Sequence, residues 1–373
     1  MSVNIFIMKV TFPHLGSMYI FCKAMAETAG IPYVLPRPTS NHTREIGEYS
    51  TNESVCLPLK IILGNFVDAL DQGADTIVMV GSGPPCRLGL YDRIIKVVLT
   101  DMGYSFRWLT IPGIFNWQAL LQNREEAKVL RRELTAGNYF RFPWAMVMGW
   151  KKMIWCEHLE RTAAQIRAIA KNPAEVDRLL SQGLVAIDKA QGVRSLSVAG
   201  NEAIASIEGV QKTERTPLKV MMVGEVYTVM EPSINMDVER RLGRLGVVVH
   251  RSSYFSTHIR RGSRLDRRML KDRQRLMDMA RPYLNYDVGA ECNFSVAETV
   301  LGHRQGYDGV VHVYPFSCMP ETNAATVLCS VSKDLNIPVL PVVIDRQDMG
   351  LRIDTQLEAF VDIMTWRRQG RIL

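Results

Sequence analysis

Short apolar runs of strand length alternate with amphipathic stretches of helical spacing in the first third of the chain. The apolar runs are IFIMKV (5–10), IPYVLP (31–36) and DTIVMV (75–80), and the helical stretches cover 16–29, 57–72 and 88–102. Strands that alternate with helices across short connections are typical of a parallel sheet with crossover helices. We therefore predict an N-terminal α/β domain.

The same alternation returns after a polar break at 213–217. Predicted strands cover LKVMMVGEV (218–226), VVVH (247–250), DGVVHVYP (308–315) and IPVLPVVID (337–345), and predicted helices cover 238–246, 263–283, 321–336 and 355–368. This pattern predicts a second α/β unit of the same class.

Between these units the chain contains long runs of good helix formers, at 125–134 and 159–190, and no convincing strand. We predict three segments: an N-terminal α/β domain at 1–115, a helical connecting segment at 116–215 and a C-terminal α/β domain at 216–373. The fold class is then α/β, with two flavodoxin/Rossmann-like parallel-sheet units and a helical middle segment.

The composition indicates a globular protein. The chain has 373 residues, of which 47% are hydrophobic and 22% charged, and no apolar run approaches the ~18 residues of a spanning helix. The N-terminal apolar run has no basic region before it and no small-residue cleavage site after it, so we interpret it as a strand rather than a signal peptide. We expect a cytoplasmic protein that does not enter a membrane.

Three of the seven cysteines share a local setting. Cys56 (in ESVCLPLK), Cys86 (in GSGPPCRLG) and Cys318 (in PFSCMP) each lie in a turn rich in Pro or Gly at the predicted start of a helix. Ligands of open α/β sheets gather beyond the carboxyl ends of the strands, and helix N-termini stabilise thiolates. The three thiols could therefore converge on the cleft between the units, where they would suit an iron–sulfur cluster or zinc.

The alternative is that each thiol is only a small buried apolar group. Spacing does not decide between these interpretations, because the chain has no CxxC pair. We expect Cys22 and Cys329 to lie in the core on apolar helix faces, and we regard Cys292 as the candidate fourth ligand.

The net charge is +7, and many of the cations lie between 240 and 281. The plain interpretation is a solvated helix face. The functional interpretation is a docking face for an acidic protein, or for the phosphates of a nucleotide-tailed substrate. Nucleic acid is disfavoured, because aromatic residues are not interleaved for stacking.

The motifs in combination resemble the 2-hydroxyacyl-CoA dehydratase D-component-like family, which includes CoA-protein-activase-associated proteins and double-cubane cluster proteins. The matching segments are FPHLG (12–16) with Tyr19, ESVCLPLK (53–60) with GN (64–65), GAD (73–75), GPPCRLG (83–89) with Tyr91, GEVY (224–227), PFSCMP (315–320) and LEAF (357–360). The resemblance covers roughly 1–110 and 217–365, which is most of the chain apart from the helical middle.

The resemblance implies a [4Fe–4S] cluster, or a double-cubane cluster, held in the interdomain cleft by Cys56, Cys86 and Cys318. It also implies an ATP-dependent iron–sulfur activator as the electron donor, and either a homodimer or a second dehydratase-like subunit. In dehydratases of this family the electron reaches the thioester carbonyl of the substrate and permits loss of water. The chain would then be an oxidoreductase or a component of a radical-type dehydratase.

Four charged residues are candidates to line such a cleft: Glu53, Lys60, Arg87 and Glu225. Surface ion pairing is the competing interpretation for each of them. Three functional hypotheses stay open: a redox protein that reduces a small molecule or acyl thioester, a subunit of a 2-hydroxyacyl-CoA dehydratase, and a non-enzymatic α/β scaffold whose thiols simply pack.

Overall fold

The computed structural model describes residues 8–81, 87–112, 141–262, 267–345 and 350–371. The chain forms two compact units. Unit 1 comprises Met1–Met153 with Gly262–Leu265, and unit 2 comprises Ile154–Arg261 with Asp266–Leu373. Within the described ranges, no helix is both long enough and apolar enough to cross a membrane.

Unit 1 is built on a three-stranded parallel sheet with the order β1-β2-β3. Its elements are β1 (Val10–Thr11), α1 (Met18–Ala29), α2 (Asn41–Ser50), α3 (Leu57–Asp71), β2 (Thr76–Gly81), a 3-10 turn (Arg87–Leu90), α4 (Tyr91–Asp101), β3 (Arg107–Pro112) and the start of α5 (Phe142–Ile169).

The strand predicted at 31–36 is reduced to one parallel bridge between Tyr33 and Val10. The backbone N–H of Val10 donates to the Pro32 carbonyl, and the N–H of Val34 donates to the Val10 carbonyl. Pro36 then follows, and a proline has no N–H to continue the ladder. The helix predicted at 125–134 lies outside the described residues.

Helices α2 and α3 approach each other closely at two glycines. A Cβ atom on Gly47 would lie 2.0 Å from the Lys60 carbonyl oxygen, and one on Gly64 would lie 2.0 Å from the Thr43 carbonyl oxygen. The sequence pattern did not indicate α2. Its start is fixed by a capping box in which the side chains and backbones of Ser40 and Thr43 bond reciprocally.

Unit 2 contains a four-stranded parallel sheet with the order β5-β4-β6-β7. Its elements after α5 are α6 (Pro173–Lys189), α7 (Gly192–Glu208), β4 (Leu218–Gly224), α8 (Val226–Met230), α9 (Val238–Arg244), β5 (Val247–Arg251), α10 (Phe255–Gly262), α11 (Arg267–Ala280), α12 (Cys292–Arg304), β6 (Gly309–Pro315), α13 (Met319–Leu335), β7 (Val339–Ile344) and α14 (Gly350–Arg368). The chain adds β5 on one side of β4 and β6 on the other, so the topological switch point lies between β4 and β6.

The helical middle of the chain belongs to unit 2 from Ile154 onward. Arg167 of α5 is fully buried, and its guanidinium is ion-paired with Asp177 of α6 at 2.8 Å and with Glu239 of α9 at 3.5 Å. A buried arginine must be paired to offset its desolvation. This contact therefore ties the helices of the middle segment to the second α/β sheet.

In both units an aspartate carboxylate fixes the start of the first strand through a backbone hydrogen bond. The Asp75 carboxylate, just before β2, accepts from the backbone N–H of Lys9 at 3.0 Å. The Asp308 carboxylate, just before β6, accepts from the backbone N–H of Lys219 at 2.7 Å. An arginine pairs with each of these carboxylates, Arg107 in unit 1 and Arg368 in unit 2. We call this arrangement the strand latch.

Candidate functional site

Two of the three predicted ligand cysteines are described, and each caps the start of a helix. Cys56 is the N-cap of α3 and Cys318 is the N-cap of α13. Each is followed at the second helical position by a proline, Pro58 or Pro320, which suits the first turn because an N–H there has no partner within the helix. Cys86 lies outside the described residues.

The backbone of both cysteines is extended, with φ −65° and ψ 144° at Cys56 and φ −84° and ψ 99° at Cys318. Neither thiol serves as the capping acceptor of its own helix. A sulfur at this position lies beside the positive end of the helix dipole, which favours the thiolate.

The Cys56 thiol is buried and has a hydroxyl neighbour. Its Sγ atom lies 2.7 Å from the phenol oxygen of Tyr91, the first residue of α4. Tyr91 is only 2% exposed. When Cys56 is ionised, the phenol can donate to its sulfur, and such a charge-assisted bond is stronger than one between neutral groups.

The charged candidates of unit 1 are placed differently from one another. Lys60 is buried in α3, and its Nζ donates to the backbone carbonyl of Glu53 at 3.4 Å. Glu53 itself is exposed in the turn that precedes α3. Arg87 opens the 3-10 turn before α4. The structure thus brings Lys60 to the backbone that leads into Cys56.

Glu225 lies at the carboxyl end of β4, beside β6. Gly224 precedes it with φ 140°, and a Cβ there would lie 1.9 Å from the Val313 carbonyl oxygen. The Glu225 carboxylate caps α8 by accepting from the backbone N–H groups of Tyr227 and Thr228 and from the Thr228 hydroxyl. Burial raises the pKa of Glu225, and the nearby Glu321 carboxylate raises it further, while the hydrogen bonds lower it.

Cys318 is half-buried in the turn that follows β6. Two large apolar side chains beside it in the sequence are exposed, Phe316 at 71% and Met319 at 65%. Burial raises the pKa of Tyr314 at the end of β6, and the charges of Glu321, Cys318 and Cys329 add to that effect. Cys318 is therefore the more accessible of the two described candidate ligands.

A buried polar cluster that the sequence did not predict lies in the first turn of the helix that Cys318 caps. The Glu321 carboxylate in the first turn of α13 accepts from His312 Nε2 of β6 at 2.7 Å and from the Ser295 hydroxyl of α12 at 2.9 Å. All three side chains are at most 2% exposed. Two features of the sequence could have indicated this cluster. One is a lone histidine, His312, inside an apolar strand, and the other is an acidic residue, Glu321, three positions after Cys318.

The candidate fourth ligand, Cys292, has a different environment from Cys56 and Cys318. It begins α12, is fully buried, and packs with Leu284 and Ala324 in a hydrophobic cluster. Burial raises the pKa of its thiol to about 12, and the charges of Glu321 and Asp287 also raise it, while a hydrogen bond from the Ala324 backbone lowers it. This environment favours the neutral thiol.

The remaining cysteines divide between core and surface. Cys22 is half-buried on α1 rather than fully in the core, and burial raises the pKa of its thiol to about 12. The core position predicted for Cys329 is wrong, because its side chain is exposed and its Sγ lies 3.4 Å from the Ala325 carbonyl oxygen, one turn back in α13. Helical spacing alone placed Cys329 on the wrong face.

The described residues contain no group of three or more His, Cys, Asp or Glu side chains placed to hold a metal ion. Cys86, one of the three expected ligands, is not among them. The two cysteines that are described do fit a soft metal centre in their local chemistry, because both cap a helix whose dipole favours a thiolate.

No family model matches the chain, and no curated protein matches it. The resemblance to the dehydratase D-component-like family therefore rests on the motifs around Cys56, Cys86 and Cys318 and on the order of those motifs along the chain.

Proposed function

We propose that this chain is an iron–sulfur redox protein that binds a [4Fe–4S] or double-cubane cluster through Cys56, Cys86 and Cys318. In this proposal it accepts low-potential electrons from an ATP-dependent iron–sulfur activator and reduces a small molecule or an acyl thioester. The two α/β units are then flavodoxin/Rossmann-like carriers of the ligands, and the cluster, when bound, supplies electrons one at a time.

One observation carries the proposal: a cysteine followed two residues later by a proline caps a helix in each unit. These are Cys56 with Pro58 at α3 and Cys318 with Pro320 at α13. A cysteine that served only as a small apolar filler would need neither the N-cap position nor the same local sequence in two sheets. Helix N-termini favour the thiolate form that iron requires.

The neighbouring side chains have definable roles at such a site. The Tyr91 phenol is placed to donate to the Cys56 sulfur, which stabilises its negative charge. The buried Lys60 brings a positive charge to the start of α3. Glu225 has a raised pKa at the carboxyl end of β4, so it can hold a proton at a higher pH than an ordinary glutamate.

Anaerobic purification with quantification of iron and acid-labile sulfide tests the proposal. We expect a coloured protein with about four irons per chain, or about twice that for a double cubane, and an EPR signal after reduction. Cys56→Ala and Cys318→Ala should each lower the iron content, whereas Cys329→Ala, at an exposed position, should leave it unchanged. A colourless protein without iron and sulfide would favour the non-enzymatic scaffold instead.

A second assay separates the redox protein from a dehydratase subunit. The iron-loaded chain is mixed with purified activator, ATP and a 2-hydroxyacyl-CoA, with and without a candidate second subunit. Loss of water from the substrate identifies a dehydratase. Oxidation of the reduced chain by small molecules or thioesters, without dehydration, identifies the redox protein.

A further inference from the structure

The basic stretch at 240–281 divides into two groups according to its ion pairs. Most of the arginines that the structure describes there form ion pairs with Asp or Glu side chains. The ion-paired arginines are Arg240, Arg241, Arg244, Arg251, Arg261, Arg273 and Arg281. These arginines already pair with carboxylates of the same chain, so they are poorly suited to bind an external anion.

Lys271 and Arg275 belong to the other group. Both are exposed on α11, and neither forms an ion pair with any residue that the structure describes. They are four residues apart, so their Cα atoms lie on one face of the helix, about 6 Å apart along its axis. Arg304, the last residue of α12, is likewise exposed and without an acidic partner in the described part of the chain.

These three cations line a single groove. Its volume is about 380 Å³, and its floor includes Met279, which is packed into the core shared by α11 and α12. The lining residues are Lys271, Gln274, Arg275, Asp278, Met279 and Arg304.

Asp278 is the acidic residue among the described residues that line the groove, and its carboxylate already has partners. The Asp278 carboxylate is 3.0 Å from the Arg281 guanidinium and accepts from the Gln274 amide at 2.9 Å. Among the described residues, the groove therefore presents three positive charges without an acidic partner, and the Asp278 carboxylate already has a cationic partner in Arg281. Such an arrangement attracts a compact ligand with more than one negative charge.

We propose that this groove binds the diphosphate group of a phosphorylated small molecule, with Lys271, Arg275 and Arg304 as its cationic contacts. The volume lies within the range of about 300–1,000 Å³ that holds small ligands. The described residues that line the groove include no aromatic side chain, so they offer no stacking platform of the kind that single-stranded nucleic acid uses. The site is independent of the cysteines, and iron content does not bear on it.

Titration calorimetry with inorganic pyrophosphate at low ionic strength tests this proposal. We expect saturable binding by the wild-type chain that weakens as salt is added. The triple variant Lys271→Ala, Arg275→Ala, Arg304→Ala should bind at least about tenfold more weakly, a change of about 1.4 kcal/mol in binding free energy. Circular dichroism verifies that the triple variant is folded. If it is not folded, the single variant Arg304→Ala is used for the same binding measurement.

A matched variant controls for the change in net charge. Lys189→Ala, Arg194→Ala, Lys333→Ala removes three exposed cations from α6, α7 and α13 of the same unit, and should keep the wild-type affinity within about twofold. Equal losses in the two triple variants would show a general charge effect and overturn the proposal. Absence of pyrophosphate binding would overturn it as well. The proposal would also be overturned if an oligo-aspartate peptide bound more tightly than pyrophosphate and the groove variant abolished that binding. The groove would then be a binding site for an acidic protein.

Discussion

The phenol oxygen of Tyr91 lies 2.7 Å from the sulfur of Cys56, and both groups are buried. This contact joins the N-terminus of α3 to the N-terminus of α4, although the residues are 35 positions apart. Tyr91 matches the family motif in the sequence, and this contact gives it a hydrogen-bonding role beside the candidate ligand Cys56.

Tyr91→Phe should destabilise the metal-free protein by about 1 kcal/mol, because the buried Cys56 thiol then loses its hydrogen bond with the phenol. Tyr104→Phe is the matched control, since the Tyr104 hydroxyl donates to Asp71 at the surface and should contribute less. Urea unfolding of both variants measures the difference. Equal effects of the two substitutions would mean that the Cys56 contact adds nothing.

Glu321→Gln should cost about 2 kcal/mol of unfolding free energy. His312 and Ser295 both bond to the same carboxylate oxygen, Oε2, and Oε1 is buried without a partner among the described residues, so the Gln amide N–H₂ would be a buried donor without an acceptor. Glu202→Gln, at an exposed position on α7, should change stability by less than about 0.5 kcal/mol. A double-mutant cycle with His312→Gln should show strong coupling. Additive effects would contradict a direct interaction.

Gly224→Ala should destabilise the protein by about 3 kcal/mol or more, because the new Cβ would lie 1.9 Å from the Val313 carbonyl oxygen and force β4 away from β6. Gly370→Ala measures the cost of an ordinary left-handed φ without a clash. Gly370 also has a positive φ, of 68°, but its Cβ would meet nothing within 4 Å. Its substitution should cost about 1 kcal/mol. Chemical denaturation compares the two. Similar costs would show that neither the clash nor the φ of 140° at Gly224 adds to the cost of an ordinary left-handed φ.

The pKa of His250 is lowered, first by burial and then by the positive charges of Lys219 and Arg161. The folded protein therefore favours the neutral ring, and the unfolding free energy should fall as pH decreases below the ordinary histidine pKa of about 6.5. His250→Gln should make the stability profile flatter between about pH 7 and pH 5. His303→Gln removes an exposed histidine of unit 2 and serves as the control. An unchanged slope in His250→Gln would show that another group causes the acid sensitivity.

The sequence predicted those elements whose signals are local and strong. Helix α3 ends within one residue of its predicted limit before Gly73, β6 coincides with the apolar run after Asp308, and Cys56 and Cys318 stand at helix starts as expected. Each of these features depends on apolar periodicity, a turn glycine or a proline in the first helical turn, and all three can be recognised in a single sequence.

The features that were missed depend on contacts between distant residues. Strand β3 was not predicted, because its run RWLTIP mixes polar and apolar residues and gains its strand character only by pairing with β2. The His312–Glu321 contact crosses the turn from β6 to α13, and a lone histidine in an apolar strand carries no information about its partner. Three arginines of the basic stretch, Arg241, Arg244 and Arg251, pair with acids from α14, α6 and α5, which no local pattern indicates.

The strand latch has a consequence for how the protein is made. In unit 1 the Asp75 carboxylate fixes the start of β1 through Lys9, and its arginine partner, Arg107, follows soon after in the chain. All the groups needed to set that strand register have therefore left the ribosome before the second sheet has been synthesised. The nascent N-terminal half can align its strands while Asp308 and Lys219 do not yet exist as competing partners.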